Sequence, residues 1–242
     1  MLGTVEVAVV RLAAFIIAFG FLIGFPIGRA AEHPQPVRPY RLAYSGSGLN
    51  HVAVVSDSYT TGTREGGLGA KSWTSLAWRI LGREGVSVSA DVAAEGRAGY
   101  GVRGDHGSVF ADLTGRVVHP DDELVVFFGS RNDQGVDPDA YAEATRSTLE
   151  SARRMAPAAK LLVIGPPWPT ADVPDVVTQL RDILYGQARA VGAAWVDPLA
   201  ERWFVGRPEL IGSDGVHPND AGHAYLADKI APLIGTRLTR RL

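Results

Sequence analysis

Asp214 and His217 stand three residues apart near the C-terminus. A carboxylate at that spacing can hold an imidazole in one tautomer and steady it when it takes up a proton. Far upstream, Ser58 lies in Ser56-Asp57-Ser58-Tyr59, directly after the apolar run His51–Val55. A serine hydroxyl is a weak nucleophile until such a base removes its proton. Asn132 follows a second apolar run, Leu124–Phe128, in the string Gly129-Ser130-Arg131-Asn132-Asp133. Its side-chain amide can donate to an oxyanion. Singly, each has an ordinary explanation, because Ser, Asn and Asp populate turns and helix caps. Together they offer a nucleophile, a base, an orienting acid and an oxyanion donor.

Positioning them requires a scaffold. Short runs at His51–Val55, Val86–Val92, Leu124–Phe128, Leu161–Ile164 and Ala194–Val196 read as buried strands, often β-branched and bounded by Gly, Pro or Asp. Helical patterns lie near Ser72–Leu81, Ala140–Met155 and Val176–Val191, with a last helix from about Asp220 to Ile234, for which Asn219 is the N-cap. This alternation predicts an α/β fold: a three-layer α/β/α sandwich, flavodoxin-like, around a five-stranded parallel sheet. In such sheets ligands collect outside the carboxyl ends of the strands. Ser58 follows the first strand, Gly96 and Gly99 the second, and Asn132 the third. Asp214 and His217 fall between the fifth strand and the last helix. Every candidate therefore reaches the same sheet edge.

These residues resemble the signature blocks of the SGNH (GDSL-type) hydrolase family. Ser56-Asp57-Ser58-Tyr59 is similar to the first block, Gly96-Arg97-Ala98-Gly99 to the second, Asn132 to the third, and Asp214 with His217 to the last. The resemblance spans roughly Val52 to Ile234. Two departures stand out: Ser56 occupies the usual Gly position, and two residues rather than one separate Gly129 from Asn132. The resemblance implies Ser58 as nucleophile, His217 as base and Asp214 as its orienting acid. It also implies an oxyanion hole made by the Ser58 N–H, the Gly99 N–H and the Asn132 amide. The implied activity is hydrolysis of carboxylic esters through an acyl-enzyme, with no cofactor and no metal. Family substrates include lipids, thioesters and acetylated sugars, and short acyl groups on envelope glycans or lipids are the expectation here. An acyltransferase, or a non-catalytic envelope-binding domain on the same scaffold, are the alternatives.

Other readings compete. Asp220 and His223 repeat the Asp-x-x-His spacing, so the four residues could form a metal site. Gly66-Gly67-Leu68-Gly69-Ala70-Lys71-Ser72 invites a phosphate loop, but Ala70 and Glu65 stand where that motif needs glycine, and a flexible loop near Ser58 is the better account. No G-x-S-x-G elbow occurs, which argues against the α/β-hydrolase fold. Trp168, Trp203 and Phe204 are either core packing or a pocket wall.

The bulk properties set bounds. In 242 residues, 46% apolar and 21% charged, there is room for one sizeable core plus a leader. Lys and Arg total 24 against 26 Asp and Glu, a balance that offers no case for nucleic acid as partner. There is no cysteine, which excludes disulfides and thiolate chemistry. Residues 1–31 carry Arg11, the uncharged stretch Leu12–Ile27 and small residues after it, the pattern of a signal peptide or a membrane anchor. Residues 32–44, with Pro34, Pro36 and Pro39, form an extended spacer. The hydrolase domain then occupies residues 45–242. The expected location is outside the cytoplasm, with the N-terminal segment able to contact membrane.

Overall fold

The computed structural model describes residues 48–239. The leader and the spacer expected over residues 1–44 lie outside them. Five runs form strands: β1 (Asn50–Ser56), β2 (Val88–Ala94), β3 (Leu124–Phe128), β4 (Lys160–Ile164) and β5 (Ala194–Val196). All neighbouring pairs are parallel, in the order β2-β1-β3-β4-β5. This is the doubly wound order, and the chain reverses direction across the sheet between β1 and β3. The crevice of such a sheet therefore opens beside the carboxyl ends of β1 and β3, where Ser58 and Asn132 follow.

Side chains of β1 alternate between two cores. Val52 and Val54 face the cluster filled by α2 (Trp73–Arg83) and α6 (Asp220–Gly235). Ala53 and Val55 face the cluster filled by α3 (Phe110–Val117), α4 (Pro138–Met155) and α5 (Asp175–Ala190). A strand buried on both faces must be apolar throughout, which is why β1, β3 and β4 read as runs rather than alternations. Trp73, Leu81, Leu226 and Ile230 are fully buried, each stabilising the fold by about 1.5–3 kcal/mol.

Helix starts follow local chemistry. Ser72 Oγ accepts the Ser75 N–H at 3.2 Å, and Asn219 Oδ1 accepts the Gly222 N–H at 3.0 Å. Each such cap is worth about 1 kcal/mol. One helix lacks a sequence signal. In α3, Val109 at the N-cap has no side-chain acceptor, and Thr114 and Gly115 lower helix propensity. Burial of Phe110 and Leu113 against the sheet holds it, helped by Asp112, whose carboxylate accepts the Val109 N–H at 3.1 Å. Strand β2 also begins two residues later than its apolar run. At the opposite end of the sheet from Ser58, the Thr239 N–H donates to Asn50 Oδ1 at 3.2 Å. This joins a residue four positions beyond α6 to the first residue of β1.

Candidate active site

Ser58 opens α1 (Ser58–Thr61), a single turn that starts as β1 ends. Asp57 caps that turn, with Oδ1 accepting the Tyr59 N–H at 2.9 Å. Ser58 Oγ lies 3.0 Å from His217 Nε2, and His217 Nδ1 lies 2.6 Å from Asp214 Oδ2. The second Asp214 oxygen accepts the N–H groups of Val216 and His217 at 2.8 and 2.9 Å. Partial burial pushes the Asp214 carboxyl up, but the His217 ring and these N–H groups outweigh it and hold it down at about 2. Asp214 is thus ionised at neutral pH, and the imidazole is fixed with Nε2 toward Ser58. The line can pass a proton from Ser58 to His217.

Two contacts hold the His217 loop against the first site segment. The Tyr59 hydroxyl donates to the Val216 carbonyl at 2.6 Å. Glu65 Oε2 accepts the Ser213 N–H at 2.7 Å and its hydroxyl at 2.9 Å. The glycine-rich stretch around Gly67 is consequently not a loose loop. The Gly67 N–H donates to Asp220 Oδ1 at 3.0 Å, Lys71 pairs with Asp220, and a Cβ on Gly67 would collide with the His223 ring.

Ser56, in the usual glycine position, has a structural job. The Trp73 indole N–H donates to Thr60 Oγ1 at 2.8 Å, Thr60 to Ser56 Oγ at 2.7 Å, and Ser56 to the Phe128 carbonyl at 2.9 Å. This buried chain ties α2, α1, β1 and β3 together and spends the Ser56 hydroxyl. Gly129 is needed where β3 ends. Its φ is +118°, and a Cβ there would come within 2.7 Å of Asp57 Oδ2.

The expected oxyanion donors Gly99 and Asn132 already have hydrogen-bond partners. The Gly99 N–H is closed into a turn, donating to the Val102 carbonyl at 2.9 Å. The Asn132 amide donates to the Ala98 carbonyl at 2.8 Å and toward Asp57 Oδ2 at 3.3 Å. Both groups brace the segment after β2. Asp133 adds to this, accepting the N–H groups of Tyr100, Gly101 and Val102 at 3.0, 2.8 and 3.0 Å. The Ser58 and Gly96 N–H groups have no acceptor among the described residues. Gly96, three residues before Gly99, lines a cavity together with Ser58 and His217. Its N–H is a free donor of the second segment that borders Ser58.

Two buried carboxyls sit behind Ser58. Burial pushes Asp57 up to about 7, with Asp133 adding to the rise. Burial raises Asp133 as well, against the pull of its three N–H donors. In the unfolded chain Asp57 ionises near 3.8, so between that value and about 7 the folded protein holds the extra proton. Stability from this group therefore falls as pH rises through that window. Asp57→Asn lacks the penalty while keeping an acceptor for the Tyr59 N–H. Its melting temperature minus that of wild type should climb from about pH 4 to about pH 7 and then level off. A constant difference in thermal unfolding across that range would show that Asp57 ionises freely.

The possible metal quartet does not converge. Asp220 is engaged by Gly67 and Lys71, and His223 is buried with Nδ1 accepting the Trp73 N–H at 3.3 Å. Burial drives the His223 imidazole down to about 4. Among the described residues no group of three or more His, Cys, Asp or Glu side chains could hold a metal ion. Trp203 and Phe204 are core residues, not a pocket wall. Trp168 alone of the three is partly exposed, beneath the Arg131 guanidinium.

Two cavities border the His217 loop. One, of about 880 Å³, holds Ser58 and His217 and is rimmed by Thr63, Arg64, Glu95 and His106. The other, of about 390 Å³, is lined by Pro169, Ala171, Val205, Pro208 and Ile211, and by Gly215 of the loop itself. The first is polar and apolar in about equal measure, and the second is mostly apolar.

Residues 57–225 match the model of the GDSL-like lipase/acylhydrolase family. The chain belongs to this family. It is 61% identical over 231 residues to the GDSL lipase Rv0518 of Mycobacterium tuberculosis (strain ATCC 25618 / H37Rv), covering 94% of this chain and 98% of that one. The fold is similar to that of TesA, with a TM-score of 0.65 at 21% identity over 78% of this chain and 100% of that one. It is also similar to a lipase/acylhydrolase from Enterococcus faecalis, with a TM-score of 0.62 at 16% identity over 80% and 100% of the two chains. The protein is an SGNH ester hydrolase.

Proposed function

We propose that this SGNH hydrolase is an exported serine esterase that works through an acyl-enzyme at Ser58. The observation that carries the reading is the hydrogen-bonded line from Ser58 Oγ through His217 to Asp214. His217 takes the serine proton as Ser58 attacks the ester carbonyl, then returns it to the departing alcohol. Asp214 stays ionised and steadies the imidazolium. The unoccupied N–H groups of Ser58 and Gly96 receive the developing oxyanion, each worth about 3 kcal/mol in the transition state. Water then releases the acyl group by the same steps in reverse order. A fluorophosphonate probe should label Ser58, read by peptide mass spectrometry. Failure to label folded protein would remove the covalent mechanism.

The two cavities support a substrate reading. The one at Ser58, rimmed by Thr63, Arg64, Glu95 and His106, suits a hydroxyl-rich alcohol such as a glycan or a lipid headgroup. The small apolar one suits a short acyl chain. Its volume of about 390 Å³ is at the low end for a ligand pocket. Among p-nitrophenyl esters from acetyl to palmitoyl, kcat/KM should peak at the short chains. A steady rise toward palmitoyl would instead assign a long-chain lipase or thioesterase. The stretch Leu12–Ile27 supports export, and fractionation of cells making the full chain tests it. Purely cytosolic protein would refute export.

A further inference from the structure

Arg131 is the extra residue between Gly129 and Asn132, and the steps above do not use it. Its guanidinium carbon lies 3.8 Å from the centroid of the Trp168 ring. Its Nη1 is buried without a hydrogen-bond partner, and among the described residues no carboxylate lies within ion-pair distance of it. The two residues flanking Ser58 both feel its charge. Burial pushes the Tyr59 phenol up to about 12 and Asp57 up to about 7, in each case against the pull of Arg131. Neither neighbour neutralises it. The Tyr59 phenol oxygen can accept from the guanidinium while its hydroxyl donates to the Val216 carbonyl, but it carries no charge and leaves Nη1 unpaired, and the Asp57 oxygens face Tyr59 N–H and the Asn132 amide.

A buried charged donor without an acceptor is unfavourable unless something else completes it. The location says what. Arg131 reaches from Tyr59, next to Ser58, to Trp168, which leads into Pro169 and Thr170 of the apolar cavity. With the acyl chain placed in that cavity, as proposed above, Arg131 is the cation stacked on the residue next to its lining. Stacking on the indole keeps the planar fork aligned for a carboxylate, the anion it matches best.

We propose that Arg131 selects the acyl part of the substrate by binding a carboxylate on a short acyl chain, making half-esters of short dicarboxylic acids the preferred substrates. This rests on Ser58 as nucleophile. Ser58 Oγ bonds to the ester carbonyl carbon, the alcohol departs with the proton from His217, and water cleaves the acyl-enzyme to release the dicarboxylic acid.

The test uses the full chain and two four-carbon acyl groups that differ only in the terminal carboxylate, monoethyl succinate and ethyl butyrate, followed by titration of released acid. Wild type should favour the succinate half-ester in kcat/KM by about tenfold or more, since a site built for a polar group rejects its apolar analogue. Arg131→Gln should remove that preference, and Arg131→Lys should keep part of it. A wild-type preference for ethyl butyrate, or an unchanged ratio in Arg131→Gln, overturns the proposal. Phenyl acetate tests the underlying reading separately, because wild-type protein that cannot hydrolyse it lacks the Ser58 chemistry altogether. Calorimetric titration of wild type with free succinate and free butyrate reads the site without turnover and without the variant folding. Tighter binding of succinate supports the proposal, and equal or absent binding of both sinks it.

Discussion

Ser58→Ala should lower kcat/KM on a simple aryl ester by on the order of 10⁴-fold or more, leaving only what the oxyanion donors and binding supply. The fold should survive. The Ser58 side chain makes one hydrogen bond, to His217, and the cap of α1 comes from Asp57 rather than from Ser58. The melting temperature should therefore stay close to that of wild type. His217→Ala should cost about as much activity as Ser58→Ala, and the double variant scarcely more than either, because the pair acts as one proton-transfer unit. Steady-state kinetics with circular dichroism on the same samples decides the matter. Folded Ser58→Ala with near-wild-type turnover would mean that the reaction runs elsewhere in the chain.

The second large effect is on stability. Asp133→Ala should cost about 3 kcal/mol, because it strips the acceptor from three backbone N–H groups at Tyr100, Gly101 and Val102. The loss is more than a local one. Those N–H groups belong to the turn that follows Gly96, so releasing them also loosens the segment that lines the Ser58 cavity. Turnover should fall together with stability, and hydrogen exchange at Tyr100 to Val102 should speed up. Asp133→Asn should lie between, since an amide brings one acceptor oxygen and turns two donors toward the N–H groups. Urea unfolding gives the free energy. A change of under about 1 kcal/mol in Asp133→Ala would mean that the turn is held by something other than this carboxylate.

Much of this was legible in the chain because its cause is local. Strands buried on both faces show as β-branched runs, and their parallel pairing sends every following loop to one edge. Asn219 announces α6 because a cap acts within three residues. Ser58, Asp214 and His217 could be picked out by residue type, and the fold brings them within hydrogen-bond reach. What was not legible depends on distant partners. Gly96 and Gly99 are alike by type and spacing after β2. Which of them keeps a free N–H is set by a turn that closes on Val102 and is braced by Asp133, more than thirty residues away. Helix α3 lacks an N-cap side chain and a strong propensity, and exists chiefly because Phe110 and Leu113 find the sheet, with Asp112 accepting the Val109 N–H. Trp203 and Phe204 are assigned to loops by sequence position, yet their side chains turn inward to the α2–α6 core. The Gly67 stretch looks loose by composition but is held by Asp220, Lys71 and His223.

The hydrogen bond between Thr239 and Asn50 has a practical consequence for handling the enzyme. It puts both exits of the described domain side by side on the pole of the sheet opposite Ser58. A purification handle, a fused partner or a surface linker attached at either exit departs from the face away from the reaction. Immobilised beads loaded through either end should thus leave both cavities open to substrate. The same proximity means a short engineered bridge could join the two exits, freeing new ends to be opened in an exposed loop elsewhere.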